Sequence, residues 1–320
     1  MSGGPALSTL TGYWVDALPD RAPAGRPSPA PVPMSSLALT MVLVAALCHA
    51  IWNLAAKRVR TDGYAFVWLY NLGSALLWAP LAVVILVHSG TGFSPALLLA
   101  PCVSGILHIA YQLTLQTGYA RADLGVVYPV ARGVGPVLSM TIAILVLGER
   151  PGWVAAAGAL VVVGGIVVVA TGRSAAGRHG ARAGIAWGGA TGIGIAAYTL
   201  WDSYSVTTLG LPPVTYFVTS CLWQVVFMTP TLLRRHRESV GPVLQQHGRE
   251  IALVAVLSPL AYVLVLEAMR TTPVSLVAPA RESSIVVGSL LAWWLFKEPD
   301  PLRRMAGAAI VLVGIVLIAV

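Results

Sequence analysis

The chain has 320 residues, of which 57% are hydrophobic and only 10% charged, with a formal net charge of +8 at pH 7. Soluble domains carry about 25% charged residues, so this chain cannot clothe itself in water-facing charge, and a mean hydropathy of +0.80 makes it an integral membrane protein. The positive balance does not point to nucleic acid: the basic residues sit in short clusters between apolar runs, with no basic helix and no interleaved aromatics, the pattern of connections at an anionic membrane face.

Residues 1–33 are rich in Pro, Ala and Gly and show no periodicity, so a disordered tail is expected there. No basic stretch leads directly into an apolar run and a small-residue cleavage site, so it does not read as a signal peptide. Met34 opens MSSLALTMVLVAAL, a natural alternative start of translation. A membrane-crossing helix needs about 20 mostly apolar residues. Ten such spans can be read, over 36–56, 64–87, 95–119, 124–147, 152–171, 183–204, 213–233, 251–269, 273–296 and 302–320. Each is continuous rather than alternating with period two, and a barrel strand would be about half as long. The expected fold class is therefore an all-α polytopic membrane protein with ten transmembrane helices.

The first span carries His49, Trp52, Asn53 and Ala56 at helical spacing, just before Lys57, Arg58 and Arg60. The third carries His108, Tyr111, Gln112, Gln116 and Tyr119 in a similar stripe, and the sixth carries Tyr198, Trp201, Asp202 and Ser205. Such faces do not suit lipid. They fit the walls of a shared cavity, polar contacts between packed helices or, for the two tryptophans, an interfacial aromatic belt.

Arg132 in the fourth span and Arg281 in the ninth both lie about nine residues in, roughly 13 Å deep. A charge at the bilayer centre costs about 2.5–3.5 kcal/mol on insertion scales, so each needs a partner or a task. Two guanidiniums facing one cavity would clamp a carboxylate, phosphate or phosphonate. The alternative is structural pairing with Glu282, Glu267 or Asp202. Adjacent residues do not face each other on a helix, so Glu282 is expected to pair with another helix rather than with Arg281. Asp202, Glu267 and Glu282, with His49, are also the candidate proton carriers. Glu149 and Glu298 stand at helix turns and are expected to shape the turn or pair with neighbouring basic residues rather than bind cargo. Cys48, Cys102 and Cys221 lie in apolar runs without a CxxC pair and read as small hydrophobes. No metal or cofactor is expected, and no GxxxxGK(S/T) loop for ATP is present.

Shifting the chain by 149 positions superposes Trp52 on Trp201, Arg121 on Arg270, Ala131-Arg132 on Ala280-Arg281 and Glu149 on Glu298. The same shift superposes Ala157-Gly158-Ala159 on Ala306-Gly307-Ala308 and Gly165–Ala170 on Gly314–Ala319. Trp, Arg and Glu are scarce, so these coincidences indicate two copies of a five-helix unit, 34–171 and 183–320, joined by a basic linker, 172–182. After five crossings the second copy enters from the opposite side, which inverts it; a substrate site near midplane between the copies is then expected. Gly158, Gly165, Gly307 and Gly314 suit close helix packing within the molecule.

LGERPGWVAAAGALVVVGGIVVV (Leu147–Val169) and FKEPDPLRRMAGAAIVLVGIVLI (Phe296–Ile318) resemble the helix 4–5 and 9–10 junctions of EamA-type members of the drug/metabolite transporter superfamily, as do Trp52 and Trp201 near the start of each repeat. The resemblance covers about residues 36–320. It departs at Lys297-Glu298-Pro299, where the family tends to have Gly-Glu-Arg, and at the HAxWN form of the first helix. It implies a secondary transporter and not an enzyme: an exporter or permease moving a small polar metabolite, such as an amino acid, by alternating access. The two arginines tilt that cargo toward an anion or zwitterion. Substrate-binding candidates are Arg132, Arg281, His49, Trp52, Asn53, Tyr111, Gln112, Tyr198 and Trp201. A membrane-embedded lipid or isoprenoid enzyme would show an Asp-rich motif or HExxH, and a scaffold or sensor would bring a soluble domain; neither feature is found. The richness in Ala, Gly, Val and Arg suggests the plasma membrane of a bacterium. Expected partners are the small-molecule substrate, protons and the lipid bilayer, with no nucleic acid, in a monomer or homodimer. Most Lys and Arg residues fall in the connections after odd-numbered spans, which puts those connections in the cytoplasm and both termini outside; the resemblance implies both termini inside.

Overall fold

A computed structural model of the protein describes residues 34–56, 58–59, 61–88, 94–122, 124–170, 178–284, 286–287 and 301–319. The helices in chain order are α1 (Ser36–Ala56), α2 (Gly63–His88), α3 (Pro95–Arg121), α4 (Leu124–Leu145), α5 (Trp153–Ala170), α6 (Arg178–Thr207), α7 (Pro213–Thr231), α8 (Arg237–Met269), α9 (Val274–Arg281) and α10 (Pro301–Ala319), with a π-helical turn at Leu232–His236. Among the described residues, four helical stretches, 36–56, 63–88, 95–115 and 213–269, are long and apolar enough to cross a membrane. The eight-residue α9 is too short to cross on its own. The rest of the expected ninth span lies largely outside the described residues, as do the tail and Glu298, so ten crossings remain an expectation.

Local chemistry sets the helix ends. Ser94 accepts a hydrogen bond from the Leu97 N–H, with Pro95 at the first helical position of α3, where a missing N–H costs nothing. Asp62 accepts from the N–H groups of Tyr64 and Ala65 at the start of α2. Gly148 (φ 70) and Gly210 (φ 66) supply the left-handed residue beyond the ends of α4 and α6, which Gly adopts without a Cβ clash. Glu149, beside the first of these, accepts from the N–H groups of Val274 and Ser275, both at 2.9 Å. It therefore caps α9, a helix of the other repeat.

Apart from α9, the helix boundaries differ most from the sequence reading at two places. The expected connection over 234–250 is helical, because α7 runs through the π turn into α8. The turn directly follows Pro230, which has no N–H for the ladder, and α8 loses helical geometry at His247 (φ −124, ψ 24). On α6, helix begins at Arg178 rather than 183.

Packing follows the repeat. Each of α2, α4 and α5 packs against its own repeat mate, α7, α9 and α10; α1 packs on α8 as α6 packs on α3. Between α5 and α10, a Cβ at Gly158 would lie 2.7 Å from the Gly314 carbonyl, and one at Gly165 would lie 2.9 Å from that of Gly307. The two helices thus run antiparallel and in backbone contact, as small residues permit. The α2–α7 pair is antiparallel too: Tyr64 Oη donates to the Met228 carbonyl (3.0 Å), and Thr215 Oγ1 donates to that of Ala82 (3.3 Å). A third small-residue seam, between α4 and α6, seats Gly188 on Val130 and Gly192 on Val134. Outward faces are large and apolar, including Leu76, Leu77, Leu81, Val83 and Val84 of α2, whereas inward faces are small or polar, including Ala65, Asn71, Ser74 and Ala75. That is the reverse of a soluble protein's surface.

Candidate functional site

The helices enclose a cavity of about 510 Å³. His49, Trp52 and Asn53 of α1, Tyr111 and Gln112 of α3, Arg132 of α4, Tyr198 of α6 and Arg281 of α9 all line it. At one end it reaches Val59 in the α1–α2 connection and Gly63 at the start of α2. The α7–α8 connection lies at that same end, since His236 Nδ1 is 2.6 Å from Asp62 Oδ2 and its ring stacks on Tyr64 at 4.7 Å. Burial alone would raise the Asp62 carboxyl, but hydrogen bonds from His236, Ser239 and the Ala65 N–H outweigh it and hold the group below the ordinary carboxylate range.

The charged centre is a triad. Arg132 Nη1 donates to Glu282 Oε2 at 2.9 Å, and Arg281 Nη2 lies 3.4 Å from Glu282 Oε1. Glu282 pairs with another helix as expected. It also meets its neighbour Arg281, because α9 ends at Arg281 and Glu282 is already in a turn. Glu282 is fully buried and does not line the cavity, whereas both arginines do. Arg132 Nη2 is also 3.2 Å from His49 Nε2. Guanidinium can only donate, so this ring nitrogen accepts and the imidazole proton is assigned to Nδ1. The Arg281 guanidinium lies 6.0 Å from the Tyr198 ring, at the outer limit of a cation–π contact. His108 and Tyr111 pack on Tyr198 with ring centroids 4.2 and 5.1 Å away, so an aromatic wall adjoins the charged one.

Other sequence candidates stand apart from the cavity. Trp201 packs in the core and donates through Nε1 to the Ala100 carbonyl at 2.8 Å. Asp202 is fully buried: Tyr216 donates to one of its oxygens at 2.5 Å and Tyr262 donates to the other. It thereby ties α6 to α7 and α8. Glu267, in the last turn of α8, pairs at 3.2 Å with the exposed Arg270 and is not in the cavity. The side chains of Gln116 and Tyr119 lie outside the described residues. Conversely, Tyr70, Asn71, Gln224 and Tyr262 line the cavity although none was singled out. Their only signal was isolation: Asn71 and Gln224 are polar residues in apolar spans, and they face each other across α2 and α7 at 3.5 Å.

The model of a family described as the EamA-like transporter family matches residues 36–171 and 182–320. A crystal structure described only as that of a protein is similar, with a TM-score of 0.70 and 15% identity, over 88% of this chain and 97% of that one; at that identity the likeness concerns the fold alone. No curated protein matches significantly.

Proposed function

The chain belongs to the EamA-like transporter family and is a multi-pass membrane protein, and on that premise we propose that it moves a small anionic or zwitterionic metabolite through the central cavity by alternating access. The observation that carries this reading is the pair of repeat-matched arginines lining one cavity beside an aromatic wall. Arginine is suited to planar anions such as carboxylates. The ammonium of a zwitterion would find the faces of Tyr198 and Tyr111. The antiparallel packing of α5 on α10 and α2 on α7 supports inverted repeats, the architecture used for alternating access.

The cavity's reach supports a state open toward the α1–α2 connection. Farther along α6, Asp202 accepts from Tyr216 and Tyr262 and ties α6 to α7 and α8, which is consistent with a closed opposite side. The α1–α2 connection carries Arg58, and the π turn with the first residue of α8 carries Arg234, Arg235 and Arg237, which favours the cytoplasm for that end. A green fluorescent protein fused at Val320 should then stay dark; bright cells would reverse the orientation. Of the three carboxylates considered for proton coupling, Asp202 is the one the reading retains. Protonation would turn one accepting oxygen into a donor and release a tyrosine from the α6–α7–α8 tie.

The test is a thermal-shift panel on purified protein containing amino acids, organic acids, phosphorylated metabolites, phosphonates, and cationic and neutral controls. A ligand at 100 times its Kd stabilises by about 2.7 kcal/mol. An anion or zwitterion should raise the Tm of wild type and lose its effect in Arg132→Gln and Arg281→Gln. A response confined to cations or apolar compounds, or unchanged in both variants, would overturn the reading.

A further inference from the structure

The seam between α2 and α7 is pinned at both ends. Toward the α1–α2 connection, Tyr64 donates to the Met228 carbonyl and Trp68 Nε1 donates to Thr229 Oγ1, both at 3.0 Å. At the far end Thr215 donates to the Ala82 carbonyl at 3.3 Å. Between these pins, about 10 Å along α2 from Tyr64, stand two carboxamides, Asn71 and Gln224. Each is only 4% exposed, and both line the cavity. Asn71 Nδ2 faces Gln224 Oε1 over 3.5 Å, longer than the ordinary range of about 2.7–3.2 Å. Among the described residues neither amide has a further hydrogen-bond partner. Each offers an NH2 group and a carbonyl oxygen, so most of their capacity is unused. Nor does the repeat impose them: under the 149-residue shift Asn71 falls on Ser220 and Gln224 on Ala75.

Buried polar groups without partners are costly, and a seam already pinned on both sides has no need of two more. Gln112 of α3 reaches the Tyr70 hydroxyl, next to Asn71, and both line the cavity. The amide wall thus belongs to α2, α7 and α3, whereas the arginines come from α4 and α9, a separate pair of packed helices. We propose that Asn71 and Gln224, together with Gln112, form a subsite for an uncharged polar tail of the cargo, a carboxamide or a hydroxyl, and that the cavity selects such tails over hydrocarbon tails of the same shape. A carboxamide or hydroxyl both donates and accepts, so it supplies the partners that these amides lack. An apolar isostere would displace water from them and leave them unpaired, which is how a buried polar site rejects an analogue that lacks its hydrogen bond. This rests on the anion-site reading above and deepens it: the arginines hold one end of the cargo and the amides read the other.

The test uses pairs matched in shape, with the same charge and a different tail: asparagine with leucine, threonine with valine, succinamate with isocaproate, and β-hydroxybutyrate with isovalerate. Binding is followed by thermal shift and by titration calorimetry. In any pair that binds, wild type should hold the polar member about tenfold or more tighter. The double variant Asn71→Leu with Gln224→Met removes both amides at once and strands neither, so it should fold and should abolish or reverse the preference within each pair. Gln112→Met should move the ratio the same way by less. A purely structural role for the amides would change the affinity of both members together and leave the ratio alone. If the double variant does not fold, Gln224→Met carries the same comparison. A wild type that holds both members equally, or a ratio unchanged in the amide variants, would overturn the proposal while leaving the anion site intact. If no member of any pair stabilises wild type, or Arg132→Gln responds fully, the anion-site reading fails and takes this inference with it.

Discussion

His49 of α1 and its repeat mate Tyr198 of α6 both line the cavity, yet the next turn of the two helices diverges. On α1, Trp52 and Asn53 line the cavity; Trp52 Nε1 is buried without a hydrogen-bond partner, and Asn53 donates only to the carbonyl of His49 in its own helix. On α6, Trp201 is bonded to the α3 main chain, and Asp202 binds tyrosines from two further helices. Trp52 and Asn53 are wall, whereas Trp201 and Asp202 are seam. The lesson is that a repeat fixes where polar residues stand, while single substitutions between the copies, Asn53 against Asp202 above all, decide whether they face the cavity or join neighbouring helices. The orphan indole of Trp52 belongs to the same contrast, since a buried unpaired N–H is destabilising.

The largest effect should come from breaking what both repeats share. Arg132→Gln leaves Glu282 with only the 3.4 Å contact to Arg281, and breaking a buried pair costs about 3–5 kcal/mol, read as a lower Tm in detergent. Gly158→Leu should be comparably severe, because its Cβ would meet Gly314 and Ile318 backbone at 2.7 and 2.9 Å. Gly164→Leu, with nothing within 4 Å, should fold normally; equal behaviour of the two would contradict the α5–α10 seam.

The contrast itself is sharpened by matched substitutions. Asp202→Asn exchanges two charge-assisted hydrogen bonds for weaker ones and should cost about 1.5–3 kcal/mol, whereas Asn53→Asp should cost less. Trp201→Phe should cost about 1 kcal/mol by losing its hydrogen bond to the Ala100 carbonyl, whereas Trp52→Phe should leave the Tm almost unchanged, since it removes an N–H that has no partner. If the α1 variants prove the more damaging, the assignment of wall and seam is reversed.

The smallest effect concerns the Asp62–His236 contact. Because the folded carboxyl sits below its unfolded value, its contribution is present above the unfolded carboxylate range and is lost as pH falls through the folded one. Asp62→Ala should cost about 1 kcal/mol as a lost helix cap and flatten the acid limb of a Tm-against-pH curve. An acid limb identical to wild type would assign it to other groups.

Much of this was legible in the chain because polar residues are rare in it. Arg132 and Arg281 declared themselves by depth, and the 149-residue shift exposed the repeat through scarce Trp, Arg and Glu. What sequence could not supply was direction within a helix. Trp201 sits at the position matched to Trp52, but nothing in the chain says that α3 offers it a carbonyl instead of open space. Tyr262 was hidden among apolar neighbours. The contact between Arg281 and Glu282 depended on a helix ending between them, which spacing alone did not show.

The central claim is that this cavity carries cargo across the membrane. The measurement that reaches it most directly is uptake of the stabilising ligand into proteoliposomes, with and without a pH gradient. The account predicts saturable uptake by wild type, its loss in Arg132→Gln, and loss of the pH dependence alone in Asp202→Asn. A ligand that binds tightly yet never crosses, or crosses equally well through Arg132→Gln, would contradict it.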